Sequence, residues 1–324
     1  MRKIFFFIAL VYWHAGLNAH NNVVVVPLFD DKSLPIENII TVGLQNADFT
    51  DPVAAVESIS DATNLEPYLV FIGPGTYTIG SGGLHTKPNV YLAGSGVGVT
   101  ILEAGFGAGT IDQSAVVSLN GLLENESALR NLSIVQYGSS TGISSGVYAT
   151  GFSSMDNVEI KVQSTGAVNY GVYLDSGMIS IKDSDISVAN ASVLSTGIFA
   201  NGGSHEFRNT EILSRDGTIV SAIYNQGARI SVNSISATTR LGSNTDSLWG
   251  LYSEGSASTT VNYSDFSPIN QRAITNLGGC HVNSPGILYG YFSTFVHGCS
   301  GSGDRYCGFA KGRRETVLNG ACEE

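Results

Sequence analysis

The stretch GVYLDSGMISIKDSDISV, Gly171–Val188, decides the fold because close relatives of it return along the chain. GVYATGFSSMDNVEIKV starts at Gly146, GIFANGGSHEFRNTEIL at Gly197, AIYNQGARISVNSI at Ala222 and GLYSEGSASTTVNYSDF at Gly250. Set in rows about 26 residues long, four of them superimpose without gaps. Ile134, Ile160, Ile186 and Ile212 form one column, and Leu129, Met155, Ile181 and Phe207 another. Between them run Asn131, Asn157, Asp183 and Asn209, a column that Asn233 and Asn262 are expected to continue. Fixed periods of 20–50 residues are the mark of solenoids and propellers.

The content of a row selects the solenoid. Helical repeats need apolar residues at 3.6-residue spacing and few glycines, whereas this chain has 39 glycines and short alternating bursts such as VEIKV and VYL. Three brief strands and their turns fit one row, and stacking rows at about 4.8 Å gives a parallel β-helix. A propeller blade needs four strands and about 40 residues or more. The asparagines suit a sharp bend, because Asn tolerates the left-handed conformation and its amide reaches its neighbour on the next rung. Upstream, Asp51 and Pro52 are an N-cap and first-turn pair for a helix carrying Val53, Val56 and Ile59–Ser60 on one face. Such a helix is suited to cover the open end of the solenoid.

Strand parity assigns faces. Val147, Val172, Ile198, Ile223 and Leu251 form an aliphatic column, followed one residue later by Tyr148, Tyr173, Phe199, Tyr224 and Tyr252. Only one column faces inward. Two residues past the aromatics stand Thr150, Asp175, Asn201, Gln226 and Glu254, all polar, so the aromatic column shares the outer face with them. That strip suits an extended polysaccharide or cell-surface glycan. Its competing reading is structural, with stacked rings joining neighbouring rungs or a long turn burying them. Asp175 and Glu254 are three rungs apart, about 14 Å, too far for the pairs of about 5–9.5 Å that cleave glycosidic bonds. On another face Glu159, Asp185 and Glu211 occupy successive rows, with Asp265 further on. Such a column splays into water beside Lys182 and Arg208 or, in the sharper reading, holds calcium. No other cofactor is implied, and the histidines show no metal-ligand spacing.

The ends bear on compartment. Arg2 and Lys3 precede the apolar run Ile4–Trp13, with Ala19 a candidate cleavage residue, so residues 1–19 read as a secretory signal peptide. The run is short of the ~20 residues a membrane span needs. The expected organisation is a signal over 1–19, a strand and linker over 20–47, the β-helix over 48–279 and a Cys-rich segment over 280–324. An excreted or periplasmic location follows from the signal. Four cysteines, Cys280, Cys299, Cys307 and Cys322, fit two disulfides with three pairings open; nearest-neighbour pairing gives Cys280–Cys299 and Cys307–Cys322. The net charge of −11 argues against nucleic acid as a partner.

The segments DFTDPVAAVESI, PYLVFIGPGTYTI and VYLAGSGVGVTIL resemble the N-terminal coils of pectin methylesterases, within the pectate-lyase-like right-handed β-helices, and a group of secreted bacterial β-helix proteins without an assigned activity. The resemblance covers roughly residues 45–290. It implies a single-stranded right-handed helix whose GVY strand is the first of each coil, with polysaccharide laid on that strand's outer face. The catalytic motifs do not follow. The pectin methylesterase runs Gln-Asp-Thr-Leu, Asp-Phe-Ile-Phe-Gly and Leu-Gly-Arg-Pro-Trp are missing, as is the Arg-x-Pro-x-x-Arg of pectate lyases. Asn244-Thr245-Asp246 matches one polygalacturonase motif without its companions, Asp-Asp and Gly-His-Gly. The expectation is a binding or scaffolding protein without catalytic residues. The alternatives are an esterase or lyase using other residues, and a structural or adhesion spacer.

Overall fold

The computed structural model describes residues 36–123, 125–138 and 142–269, and beyond these the strand segments 276–282, 287–291, 293–295, 299–300, 308–311 and 317–320. The signal peptide expected at 1–19 lies outside them. The chain winds into an all-β parallel solenoid of about nine turns. First strands, Leu84–His85 through Ile143–Thr150, Val168–Leu174, Leu194–Asn201, Ile219–Gln226 and Ser247–Glu254 to Cys299–Ser300, build a nine-stranded sheet. Second and third strands build a nineteen-stranded sheet that folds along a sharp bend.

The rows seen in the sequence are the rungs. Arg130 pairs with Asp156, Asp156 with Lys182 and Lys182 with Arg208. All three aliphatic columns face the core: Val147, Val172, Ile198, Ile223 and Leu251 from the first strands, Leu129, Met155, Ile181 and Phe207 from the second, and Ile134, Ile160, Ile186 and Ile212 from the third. Burying each such side chain contributes about 1.5–3 kcal/mol.

The bend is the asparagine column. Asn131, Asn157, Asp183 and Asn209 all have left-handed backbone, with φ of 53, 53, 47 and 49°. Asn157 Nδ2 donates to Asn131 Oδ1 at 2.9 Å, and Asn209 Nδ2 donates to Asp183 Oδ1. The continuation differs from expectation. Asn233 and Asn262 pair with each other one residue before the bend, and Ser234 and Tyr263 take the left-handed position at φ 58 and 48°. Backbone register sets which residue bends, so a row of different length moves the duty to its neighbour.

Glycines explain how three strands share so narrow a core. A Cβ on Gly146, Gly171 or Gly197 would lie 2.4, 2.4 or 2.3 Å from Cγ2 of Ile160, Ile186 or Ile212 on the facing third strand. One rung on, Ala237 replaces the isoleucine in register with Ile212, and the first strand there carries Ala222. Where the third strand carries isoleucine the first carries glycine, and where it carries alanine the first carries alanine.

The helix spans Pro52–Ser58, and Asp51 Oδ1 accepts from the Val53 N–H at 2.9 Å. Ala55, Val56 and Ile59 are buried in the core, while Ser60, expected on that face, is exposed. Lys87 Nζ donates to the carbonyls of Glu57 and Ile59 at the far end, where the helix dipole favours a cation. Parallel pairing begins before the expected limit, at Asn38–Val42 against Tyr68–Ile72. It also passes residue 280, within the strand Asn276–Val282. Backbone pairing needs no repeat signature, so both ends were invisible to the row alignment. The described chain closes with an antiparallel pair, Gly308–Lys311 and Val317–Gly320.

His205 interrupts the apolar interior. It stands in register between Ile179 and Ile230 and is only 3% exposed. Its Nε2–H donates to the Gly202 carbonyl at 2.7 Å, while Nδ1 has no hydrogen-bond partner. Burial holds its pKa below the ordinary 6.5, and the Gly202 bond only partly opposes this.

Two outcomes follow. Gly171→Ala is expected to cost about 1–3 kcal/mol by overpacking. Adding Ile186→Ala should recover part of that, as the Ala222/Ala237 rung does, so a urea-denaturation double-mutant cycle will show favourable coupling. For His205 the unfolded ring binds a proton near pH 6.5 and the folded ring does so only at lower pH. Stability is therefore fully present above that pH and is lost as pH falls below it. His205→Ile should flatten this part of the acid limb in thermal midpoints measured between pH 7.5 and 5.

Candidate functional site

The outer face of the nine-stranded sheet is built around a kink at the glycine column. In Val168–Leu174, a Cβ on Gly171 would point at Ile186, and Val172 next to it is also buried in the core. Two successive inward residues reverse the parity, and Tyr170 and Tyr173 consequently share the outer face, with ring centroids 5.2 Å apart. In Ser247–Glu254 the same step places Trp249 6.1 Å from Tyr252. Parity counted from Val172 and Leu251 puts Tyr170 and Trp249 inside, which is why the sequence reading missed them. The usable signal was an aromatic residue just before the glycine of GVY and GLY.

The five expected aromatics do form one outer column. Tyr148 stacks on Tyr173 at 5.9 Å and 23°, and Tyr173 on Phe199 at 4.9 Å and 15°. Further on the rings turn: Phe199 meets Tyr224 at 4.8 Å and 57°, and Tyr224 meets Tyr252 at 4.8 Å and 73°. Tyr148, Tyr173, Tyr224 and Tyr252 are half-buried. Phe199 is not the exposed platform residue expected of it. Tyr170, Tyr173 and Tyr224 enclose it, leaving 7% exposed. Since rings stacked along the solenoid axis spend their faces on one another, the Tyr148–Tyr173–Phe199 section offers edges and hydroxyl tips to solvent.

Beside the rings runs the polar row. Tyr148 Oη donates to Asp175 Oδ2 at 3.2 Å, and Asn201 Nδ2 donates to Asp175 Oδ1 at 3.1 Å. Three rungs away Tyr224 Oη donates to Glu254 Oε1 at 2.8 Å, and Gln226 Nε2 donates to the same oxygen at 3.0 Å. Asp175, Asn201, Gln226 and Glu254 are thus brought together with the rings in two carboxylate–phenol–amide sets. Burial, then Asp175, pushes the Tyr148 phenol up to about 12. Burial, then the neighbouring Tyr173, does the same for Tyr170. Tyr224 is raised still further by burial and by its bond to Glu254. These phenols stay protonated donors at any physiological pH.

The acidic column is in register, Glu159 with Asp185 and Asp185 with Glu211, but its members do not converge. Glu159 pairs with Lys161 at 2.5 Å and accepts from Ser133 Oγ at 2.9 Å. Burial is the largest single influence on its pKa and raises it, yet those bonds together outweigh burial and lower it. Asp185 and Glu211 are exposed. Among the described residues no group of three or more His, Cys, Asp or Glu has a metal-holding arrangement. At the C-terminal end Cys280 and Cys299 are register partners on adjacent strands. The side chains of all four cysteines lie outside the described residues, so the pairing expected for them does too.

Fold and face together define the class: a right-handed parallel β-helix of the pectin lyase fold, as the opening segments suggested. Solved structures share it at low identity. A pectin methylesterase in complex with a hexasaccharide is similar at TM-score 0.53 and 13% identity, covering 89% of this chain and 93% of its own. Pectin methylesterase from carrot gives TM-score 0.55 and 12% identity over 90% and 87%. A pectate lyase gives 0.56 and 13% over 90% and 80%. No protein-family model and no curated protein matches the sequence.

Proposed function

We propose that this is a secreted β-helix protein that binds or scaffolds an extended polysaccharide along the outer face of its first-strand sheet. The observation that carries the reading is the row Asp175–Asn201–Gln226–Glu254, four hydrogen-bonding side chains at one-rung spacing beside a continuous aromatic column. A rung of about 4.8 Å is of the order of one sugar ring, so successive residues of an extended chain meet successive rungs. A saccharide is also the ligand of one structure of similar fold, the pectin methylesterase bound to a hexasaccharide. Binding is favoured over turnover because Asp175 and Glu254 are about 14 Å apart by rung spacing and both are committed to phenol and amide donors.

A spacer without a ligand is the second reading, and ring stacking favours it, since Tyr148, Tyr173 and Phe199 hold three rungs together. The two readings separate on Asn201 and Gln226, whose amides hydrogen-bond the carboxylates of Asp175 and Glu254. In the binding reading Asn201→Ala with Gln226→Ala weakens retention on a glycan array about tenfold, the scale of one lost hydrogen bond to a charged partner, while the thermal midpoint stays within a few degrees. If the wild-type protein retains no extended glycan, the spacer reading replaces this one.

Export makes a separate expectation. Protein recovered from its native host should begin after Ala19, and its peptide map should hold two disulfides. Cys280–Cys299 is the pair to seek first, because adjacent parallel strands are about 4.8 Å apart, within the Cα separation a disulfide accepts. A mature N-terminus at Met1 with four alkylatable thiols would contradict both points.

A further inference from the structure

The charge around this face narrows its ligand. We infer that the polysaccharide it accepts carries no carboxylates, so that polyuronates are rejected; the inference rests on the binding reading above. None of the nine strands of the sheet contains a lysine or arginine. From Arg130 to Arg240, every basic residue of the chain lies on the strands of the other sheet, and Lys87 is tied to the end of the helix. Among the described residues, carboxylates that border the strip are Asp175, Glu254 and Asp112, the last close enough to help keep the Tyr148 phenol protonated. A chain with one carboxylate per sugar would meet no lysine or arginine on those strands, and it would approach a protein of net charge −11 against its field.

Hydrogen-bond chemistry points the same way. Four donors of the strip are turned onto its own acids: Tyr148 Oη and Asn201 Nδ2 on Asp175, Tyr224 Oη and Gln226 Nε2 on Glu254. An ionised carboxylate offers about four acceptor sites, so what Asp175 and Glu254 have left for a ligand is acceptor capacity. Sugar hydroxyls donate to such oxygens; uronate carboxylates only accept.

Retention in affinity electrophoresis separates these cases, using neutral glucan, mannan and xylan, and polygalacturonate, as probes. The expected result is retention by at least one neutral polymer, changing by less than about twofold between about 20 mM and 0.5 M salt, where charge attraction would be largely screened away. Polygalacturonate should show no retention at the lower salt. The double variant Asn201→Lys with Gln226→Lys, which adds the missing cations, should gain polygalacturonate retention and lose it again at the higher salt. Preferential retention by polygalacturonate in the wild type overturns the inference and leaves the binding reading standing. Failure of every polymer overturns both, and the binding variants described above then have nothing to weaken.

Discussion

Parallel pairing between consecutive rungs is the constraint from which the rest follows. Each strand hydrogen-bonds only to its counterparts one turn above and below, so equivalent residues stand over one another at about 4.8 Å. Whatever side chain occupies a position therefore has its own repeat as nearest neighbour. Apolar columns accept that without cost, and they line the core at Val147–Val172–Ile198–Ile223–Leu251. Asparagines accept it through amide-to-carbonyl bonds at the bend. Acids do not accept it, and the protein answers in two ways. In the Glu159–Asp185–Glu211 column the charges are left to solvent and Lys161. In the row on the first-strand face, amides separate Asp175 from Glu254, so no two carboxylates are adjacent.

This same constraint determined what could be read from the sequence. A period near 26 residues, three aliphatic columns and the left-handed asparagines were legible because each position repeats its chemistry. Legibility failed where rows changed length or where backbone geometry departed from simple alternation. The bend passed from Asn233 to Ser234 and from Asn262 to Tyr263 because register, which composition does not encode, selects the residue. Phe199 looked exposed because its immediate sequence neighbours do not include Tyr170 as a packing partner once strict alternation is assumed. The glycine at this step in Val168–Leu174 is itself a packing demand from the third strand, Gly171 yielding to Ile186. The face was legible in outline, and its two hidden aromatics were concealed by a contact across the core.

That coupling ties the candidate site to the interior. Glycines at 146, 171 and 197 make room for the isoleucines opposite, and the step at Gly171 turns a second aromatic, Tyr170, outward, as the step at Gly250 does Trp249. With these added, the rings pack tightly enough to bury Phe199 and to raise the phenols of Tyr148 and Tyr224. Aromatic pairs at such distances contribute about 0.5–1.5 kcal/mol each beyond their burial. The column is then a rigid foundation more than a set of open stacking platforms.

A rigid foundation changes which groups do the recognising. Ring faces turned toward one another give little to a ligand lying along the sheet, except near Tyr224 and Tyr252, whose planes are 73° apart. In the proposed binding reading, specificity therefore falls to the carboxylates that the rings hold in place. Because Tyr148 and Tyr224 are packed, their hydroxyls fix Asp175 and Glu254 before any ligand arrives, and a pre-ordered acceptor costs less conformational entropy on binding. In this arrangement the stacking that favours a structural role and the polar row that favours a binding role are two parts of one device: the core sets the kink, the kink packs the rings, and the rings aim the acids.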